Sequence, residues 1–405
     1  MVKPWDTATI GDFLDFKNGL NKGKEFFGYG TPIVNYTDVY RKRSLTKNDV
    51  RGKVNLTRDE IHRFDAQKND VFFTRTSETP EEVGMSSVLL DDIDDCVFSG
   101  FVLRGRPKND MFTPEYCKYC FTTEAVRNAI TMGCTYTTRA LTNGKQLSAI
   151  EIVVPSKPEQ EAIAQSLTDI DELILSLEKL VAKKKAIKQG AMQELLTGKR
   201  RLPGFSGEWS KCKLGSLGVF LKGTGISRND SNSGNLPAVR YGELYTKHQN
   251  YVNSYFSHIS KEVASNAQRI YRGDILFAAS GETKEDIGKC SAIIYETAAY
   301  AGGDILIFRP TTQLDPVFMG TLLNMADARK QRAAQGQGDA IVHIHADALS
   351  SISIIIPNIE EQKAIAEILI GMDKEIELLK RKLEKYRQVK QGMMQQLLTG
   401  KIRLM

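Results

Sequence analysis

Apolar residues stand at Ile163, Leu167, Ile170, Ile174, Leu177 and Val181, advancing by 4, 3, 4, 3 and 4. The same steps recur at Ile365, Leu369, Met372, Ile376, Leu379 and Leu383. Such an a/d spacing predicts two amphipathic helices, from about Gln160 to Leu196 and Gln362 to Leu398, each roughly 50 Å long at about 1.5 Å per residue. A β-like apolar run precedes each helix, IEIVVP or ISIIIP, and stops at Pro155 or Pro357. Leu-Leu-Thr-Gly-Lys follows, offering Gly198 and Gly400 as C-caps with cations that suit the helix dipole. A stripe this narrow needs a partner, and the nearest is its own repeat. Two copies related by a two-fold axis would pack antiparallel.

The two helices belong to a longer ungapped repeat. Residues 153–202 and 355–404 are identical at 23 of 50 positions, which means two equivalent structural units on one chain. Upstream the repeat is fainter: Trp5 answers Trp209, PIVNY (32–36) answers PAVRY (237–241), and KNDVFFTRTSETPEEVG (68–84) answers RGDILFAASGETKEDIG (272–288). Short β-branched and aromatic runs broken by Gly, Asn and Asp turns predict strand-rich regions with a few helices, at 114–131 and 315–334. The expected fold is α+β: two strand-rich mixed domains, 1–152 and 203–354, joined by two long antiparallel coiled-coil helices, 153–202 and 355–405, in a pseudo-two-fold repeat.

The 405 residues suffice for two or three cored domains, and 41% hydrophobic with 26% charged residues excludes disorder as the main theme. A net charge of +6 is compatible with a polyanionic partner without requiring one. No run approaches the roughly 18 apolar residues that span a bilayer, and MVKPWDTATIGDF lacks a signal-peptide core. The expectation is a cytoplasmic protein without membrane contact. Six sparse cysteines read as reduced thiols; Cys117 and Cys120 have zinc-finger spacing but no second ligand pair, so no metal is expected.

A catalyst should show its motif, ideally twice. The chain has no GxxxxGK[ST], no GxGxxG after a strand, no GxSxG and no HExxH. His343-x-His345 reads as a surface pair. The nucleotide-binding core and Asp/Asn-Pro-Pro-aromatic motif of a DNA methyltransferase are absent. One alternative stands: Asp274, Glu282 and Lys284 imitate the carboxylate–carboxylate–lysine set of a Mg-dependent nuclease, although the first half answers with Asp70, Glu78 and Pro80.

The divergent loops suit nucleic acid. Lys17, Asn18, Lys22 and Lys24 form one basic turn; Tyr36 with Arg41, Lys42 and Arg43 a second; Arg75, Thr76 and Ser77 a third. Thr135, Tyr136, Thr137, Thr138 and Arg139 form a fourth. In the second half the counterparts are Lys222, Thr224 and Arg228; Arg240 and Tyr241; Ser280, Thr283 and Lys284; and Gln335 with Gln337. Cations neutralise phosphates, while Arg, Asn, Gln, Thr and Ser read base edges. Singly, each is better explained as a solvated side chain; it is their clustering at equivalent places that selects them.

With these residues in view, the chain resembles the DNA-specificity subunit of type I restriction-modification enzymes over nearly its whole length. The resemblance rests on Pro-x-x-x-Glu-Gln-x-Ala-Ile-Ala at 155–164 and 357–366, the long helices, the Leu-Leu-Thr-Gly-Lys endings leading to Gly207-Glu208-Trp209, and the Arg-Thr-Ser turn after Phe73. It implies a non-catalytic protein without a cofactor of its own. Two target recognition domains would each read one half of a bipartite asymmetric site on double-stranded DNA. The helices would serve as a ruler and as the docking surface for two adenine methyltransferase subunits, which carry S-adenosylmethionine. Motor-nuclease subunits are optional further partners.

Overall fold

A computed structural model describes residues 4–338 and 341–404. The chain divides into two compact units, residues 1–179 with 381–405, and residues 180–380.

The centre of unit 1 is a five-stranded sheet in the order Leu14–Asn18, Val102–Pro107, Val71–Thr74, Ser86–Leu89, Ser44–Leu45. The first three pairings are antiparallel and the last is parallel. Val71, Phe72, Phe73 and Thr74 are all buried, as a central strand covered on both faces requires. A second sheet pairs Phe27–Val34 with Gly52–Val54 and, in parallel, with Val97–Phe98.

Unit 2 repeats this frame on other residues. Its main sheet runs Gly218–Lys222, Ile305–Pro310, Ile275–Ala278, Cys290–Ile293, Tyr251–Val252, with the same three antiparallel pairings and parallel edge. Its second sheet is one strand larger, because Gln268–Ile270 joins Ala299–Ala301 where unit 1 has only a bridge from Asp65 to Val97.

The apolar runs before the helices are strands, and each pairs antiparallel with a strand just after a tryptophan: Asp6–Thr9 with Glu151–Val154, and Ser210–Lys213 with Ser353–Ile356. The helices predicted at 114–131 and 315–334 are each broken in two. Pro114–Cys120 is followed by Glu124–Gly133, capped by the Thr123 hydroxyl, and Pro316–Leu323 by Ala326–Gln335. Cys117 and Cys120 are buried core residues of the first of these.

The long helices span Lys157–Leu195 and Ile359–Leu397, 39 residues each, or about 58 Å. They begin three residues earlier than the heptads predict because the residue before each caps it. Ser156 accepts through its carbonyl from the Gln160 N–H and donates its hydroxyl to Glu159 Oε2 (2.9 Å), while Asn358 Oδ1 accepts from the Glu361 N–H (2.9 Å). Gly198 and Gly400 end them at φ 68° and 70°, where glycine is favoured. Of the twelve seam residues, Ile174, Met372 and Leu379 are half-buried and the rest buried.

Antiparallel pairing of the helices is explicit inside each unit. In unit 1 Glu159, Asp171 and Glu178 of the first helix meet Arg403, Lys390 and Arg387. In unit 2 Lys184, Lys188 and Arg201 meet Glu375, Asp373 and Glu361. Residue numbers rise on one side as they fall on the other. The seam begins inside the domain core: Ile163 and Leu167 share it with Leu397 and Leu398, and Ile365 and Leu369 with Leu195 and Leu196. Each domain is thus closed by the end of the other repeat's helix.

Candidate nucleic-acid interface

Three short strands gather the first unit's expected contact residues. Thr135–Tyr136 pairs with Ala140–Leu141, which pairs with Thr76–Ser77. Two loops about 60 residues apart in sequence become one surface, with Tyr136 57% exposed and Thr135, Thr137, Thr138 and Arg139 exposed beside it. Arg75 ties this small sheet inward. Its carbonyl accepts from the Thr142 N–H (3.0 Å) and its own N–H donates to the Phe101 carbonyl (2.9 Å). The guanidinium makes a long bond to the Gly100 carbonyl (3.5 Å) and leaves Nε buried without a partner.

Gly100 in turn donates to Leu20 O (2.7 Å), bringing the Lys17–Lys24 turn alongside. Glu82 joins the Tyr36 turn to the rest: it accepts from the Tyr40 hydroxyl (2.8 Å) and the Ser77 hydroxyl (3.2 Å), and Tyr36 stacks on Tyr40 at 5.7 Å. The four basic turns therefore adjoin. Not all their cations face outward. Lys22 is held by Glu60 (2.6 Å) over the Phe26 ring and Arg43 lies against the Tyr119 ring and Met394, whereas Lys42 pairs with Asp49 and stays exposed. Lys24, Arg41 and Asn18 are exposed and Lys17 half-buried.

Unit 2 builds the same corner from different side chains. Ser280–Gly281 pairs with Val342–His343, and His343 bridges to Gln337. Ser280 Oγ lies 3.0 Å from His343 Nδ1. Ala279 stands in the place of Arg75, with its N–H on the Asp304 carbonyl (2.8 Å) and its carbonyl taking the Ile344 N–H (2.9 Å). Asp304 accordingly replaces Phe101, which is 56% exposed. A like backbone carries a cation and an aromatic ring in one unit and a methyl and a carboxylate in the other.

The remaining second-half residues divide similarly. Tyr241 is 42% exposed, and Lys222, Arg228, Thr283, Lys284, Gln335 and Gln337 are exposed. The Thr224 hydroxyl is spent on Asn266 O (3.0 Å), and Arg240 is turned to Ser257 (3.1 Å) and Glu243 (3.6 Å). Tyr245, the counterpart of Tyr40, donates to Ser280 O (3.0 Å), and burial pushes its pKa to about 12.

Several contributors escaped the sequence reading. Arg127 donates to the carbonyls of Gly84 (2.8 Å), Glu81 (2.9 Å) and Val83 (2.7 Å), fixing the loop after the Arg-Thr-Ser turn. Arg332, almost fully buried, does the same for Ile287 O (3.2 Å) and also serves Leu323 O. Gly84 and Gly288 sit at φ 67° and 68°, and a Cβ on Gly288 would lie 2.7 Å from Arg332 Cδ, whereas one on Gly84 would lie 2.7 Å from Ile130 Cγ2. The shared glycines were visible; the arginines behind them lie more than 40 residues away.

The nuclease set does not assemble. Asp274 is buried and held by Arg309 at 2.7 Å and 2.9 Å, as Asp70 is held by Arg106. Glu282 and Lys284 lie beyond the far end of strand Ile275–Ala278, about 13 Å away at 3.3 Å per residue. Among the described residues no group of three His, Cys, Asp or Glu could hold a metal ion, and no helix is long and apolar enough to cross a membrane.

The profile of the type I restriction modification DNA specificity domain matches the chain twice, over residues 2–189 and 206–387. The chain belongs to that family. The MjaVIII type I restriction enzyme specificity subunit of Methanocaldococcus jannaschii is 24% identical over 430 aligned residues, covering 99% of this chain and 93% of that one. Among solved structures, the type I restriction-modification S subunit from M. genitalium superposes with a TM-score of 0.59 at 15% identity, covering 97% and 96% of the two chains. The HsdS subunit from Thermoanaerobacter tengcongensis gives 0.53 at 16%, covering 98% and 97%. As a specificity subunit this chain supplies DNA recognition and no catalysis, and the solved relatives share its two-domain, long-helix architecture.

Proposed function

We propose that the chain is the DNA reader of a cytoplasmic type I restriction-modification complex and recognises a bipartite, asymmetric site. Residues 1–152 and 203–354 are the two target recognition domains, and 153–202 and 355–405 are the helices that space them and dock two adenine methyltransferase subunits. Motor-nuclease subunits complete the restricting form.

The observation that carries this reading is the pair of equivalent corners, three-stranded in unit 1 and two-stranded with a bridge in unit 2. Equivalent frames present Arg75 and Phe101 in one unit and Ala279 and Asp304 in the other, with Tyr136 exposed beside the first pair and His343 beside the second. Like frames with unlike edge chemistry suit two readers of two different half-sites. Rigid spacing of the readers would fix the length of the unread gap, and the grip on the flanks would hold DNA while a partner extrudes the adenine.

The test is reconstitution of the full chain with its methyltransferase and mapping of the methylated adenines. Methylation confined to one two-part sequence is expected; methylation without sequence preference would refute the reading.

A further inference from the structure

One short turn is held alike in the two units and ends on unlike side chains. Ser99-Gly100-Phe101 joins strand Val97–Phe98 to Val102–Pro107 in unit 1, and Gly302-Gly303-Asp304 joins Ala299–Ala301 to Ile305–Pro310 in unit 2. The Ser99 N–H donates to the Val34 carbonyl (2.9 Å) and the Gly302 N–H to the Val239 carbonyl (3.0 Å), while the carbonyls of Phe101 and Asp304 accept from Arg75 and Ala279. A glycine of the neighbouring basic turn presses on it in each unit: a Cβ would lie 2.1 Å from Ser99 O at Gly19 and 2.0 Å from Gly302 O at Gly223. Backbone alone fixes where the last residue of the turn stands.

The side chains at that place do nothing for the fold. Phe101 leaves more than half of a large apolar ring in solvent. Asp304 is exposed and sits at φ 58°, a region that glycine takes freely and a side chain disfavours. Aspartate is accepted there when its carboxylate bonds to nearby backbone. Asp304's carboxylate makes no hydrogen bond or ion pair among the described residues. Strain that nothing within the chain offsets points to a contact from outside.

The neighbours narrow the chemistry of that contact. Phosphate repels a carboxylate, so Lys222 and Arg228, exposed on the adjoining turn, suit the DNA backbone and Asp304 suits a base edge. In the major groove cytosine N4 and adenine N6 are amino donors, whereas guanine O6 and thymine O4 are acceptors that repel a carboxylate. Adenine also carries the N7 acceptor beside its amino group, which opposes the second carboxylate oxygen. Cytosine has no acceptor there. The Phe101 ring has no donor or acceptor to offer, and the apolar feature of the groove is the thymine methyl.

We infer that Asp304 reads a cytosine of the second half-site through its N4 amino group, and that Phe101 reads the methyl of a thymine in the first. This rests on the reading above that the corners face DNA, and adds which residue of each corner reads and which base it takes.

The experiment reconstitutes the full chain with its methyltransferase and maps methylated adenines on DNA of random sequence. The unsubstituted complex should require a C·G pair at one position of the second half-site and a T·A pair at one position of the first. Asp304→Ala should lower discrimination at the C·G position by roughly tenfold and leave the first half-site unchanged. Asp304→Asn should move the preference there from cytosine to adenine, because an amide offers a donor to N7 as well as an acceptor to N6. A residue that only shapes the turn would give no such switch. Asp304→Gly should keep or raise Tm while relaxing the same position, which separates loss of reading from loss of fold. Replacing the thymine by uracil removes the methyl alone, and should weaken methylation several-fold for the unsubstituted complex and not for Phe101→Ala. If Asp304→Ala and Asp304→Asn leave the second half-site read as before, or relax the first instead, the assignment is overturned. If the unsubstituted complex methylates without sequence preference, the corners are not readers at all and the broader reading fails with it.

Discussion

Glu159 does three jobs at once. It accepts at the N-terminus of the first long helix from the Ser156 hydroxyl, receives the Trp5 indole N–H (3.1 Å), and takes the Arg403 guanidinium, whose Nη2 lies 2.9 Å away. These donors, Arg403 foremost, hold its pKa at about 2, below the unfolded value of about 4.3. A depressed carboxylate contributes stability above its unfolded pKa and loses it as pH falls through the folded one. Glu159→Gln should therefore cost about 3 kcal/mol near neutrality, as expected when one partner of a buried ion pair is removed. The gap to the unsubstituted protein should close between about pH 4.5 and pH 2, read by thermal melts across that range. The sequence showed Glu159 only as part of a repeated Pro-x-x-x-Glu-Gln motif. Its partners lie 154 and 244 positions away, where no local pattern reaches. At the reading edge, Arg75→Ala or Phe101→Ala should relax the first half-site at one base pair, about 1–3 kcal/mol of discrimination, and leave the second untouched; methylation mapping would show both halves altered if the corner were merely structural.

Among elements, the long helices and the strands before them were legible because apolar spacing is a local signal and these elements carry it strongly. The split of the predicted 114–131 helix was not, since Thr123 caps a new helix inside a continuous apolar pattern. The corners were illegible as sheets: each strand has two residues, too few for any period, and only long-range pairing defines them. The loop-holding arginines belong at this scale. Arg127→Met should leave the folded core intact by circular dichroism, while freeing the carbonyls of residues 81–84 and weakening recognition of the first half-site alone. If helix length sets the unread gap, inserting four residues after both Lys179 and Lys380 spares every ion pair named within either unit. It adds about 6 Å, or about two base pairs at 3.4 Å each. Modification mapping should find a longer gap between unchanged half-sites.

For the molecule as a whole, the repeat separates what is kept from what is free to differ. Pairs that close a unit recur in register: Lys188 with Asp373 and Lys390 with Asp171, each aspartate also taking a tyrosine hydroxyl, Tyr251 (3.0 Å) or Tyr119 (3.1 Å). Those tyrosines come from non-equivalent elements, so the aspartates' environment is reproduced where the sequence is not. Unit 1 is assembled from residues 1–179 and 381–405, whereas unit 2 is a single stretch, 180–380. On the ribosome the order of completion therefore inverts the order of the chain. The second domain has all its parts once residue 380 has emerged. The first must wait, with Glu159 and the Ile163–Leu167 face uncovered, for a helix end made more than 200 residues after it. A nascent chain stopped near residue 380 should be cut by protease in its earliest-made domain and spared in its latest.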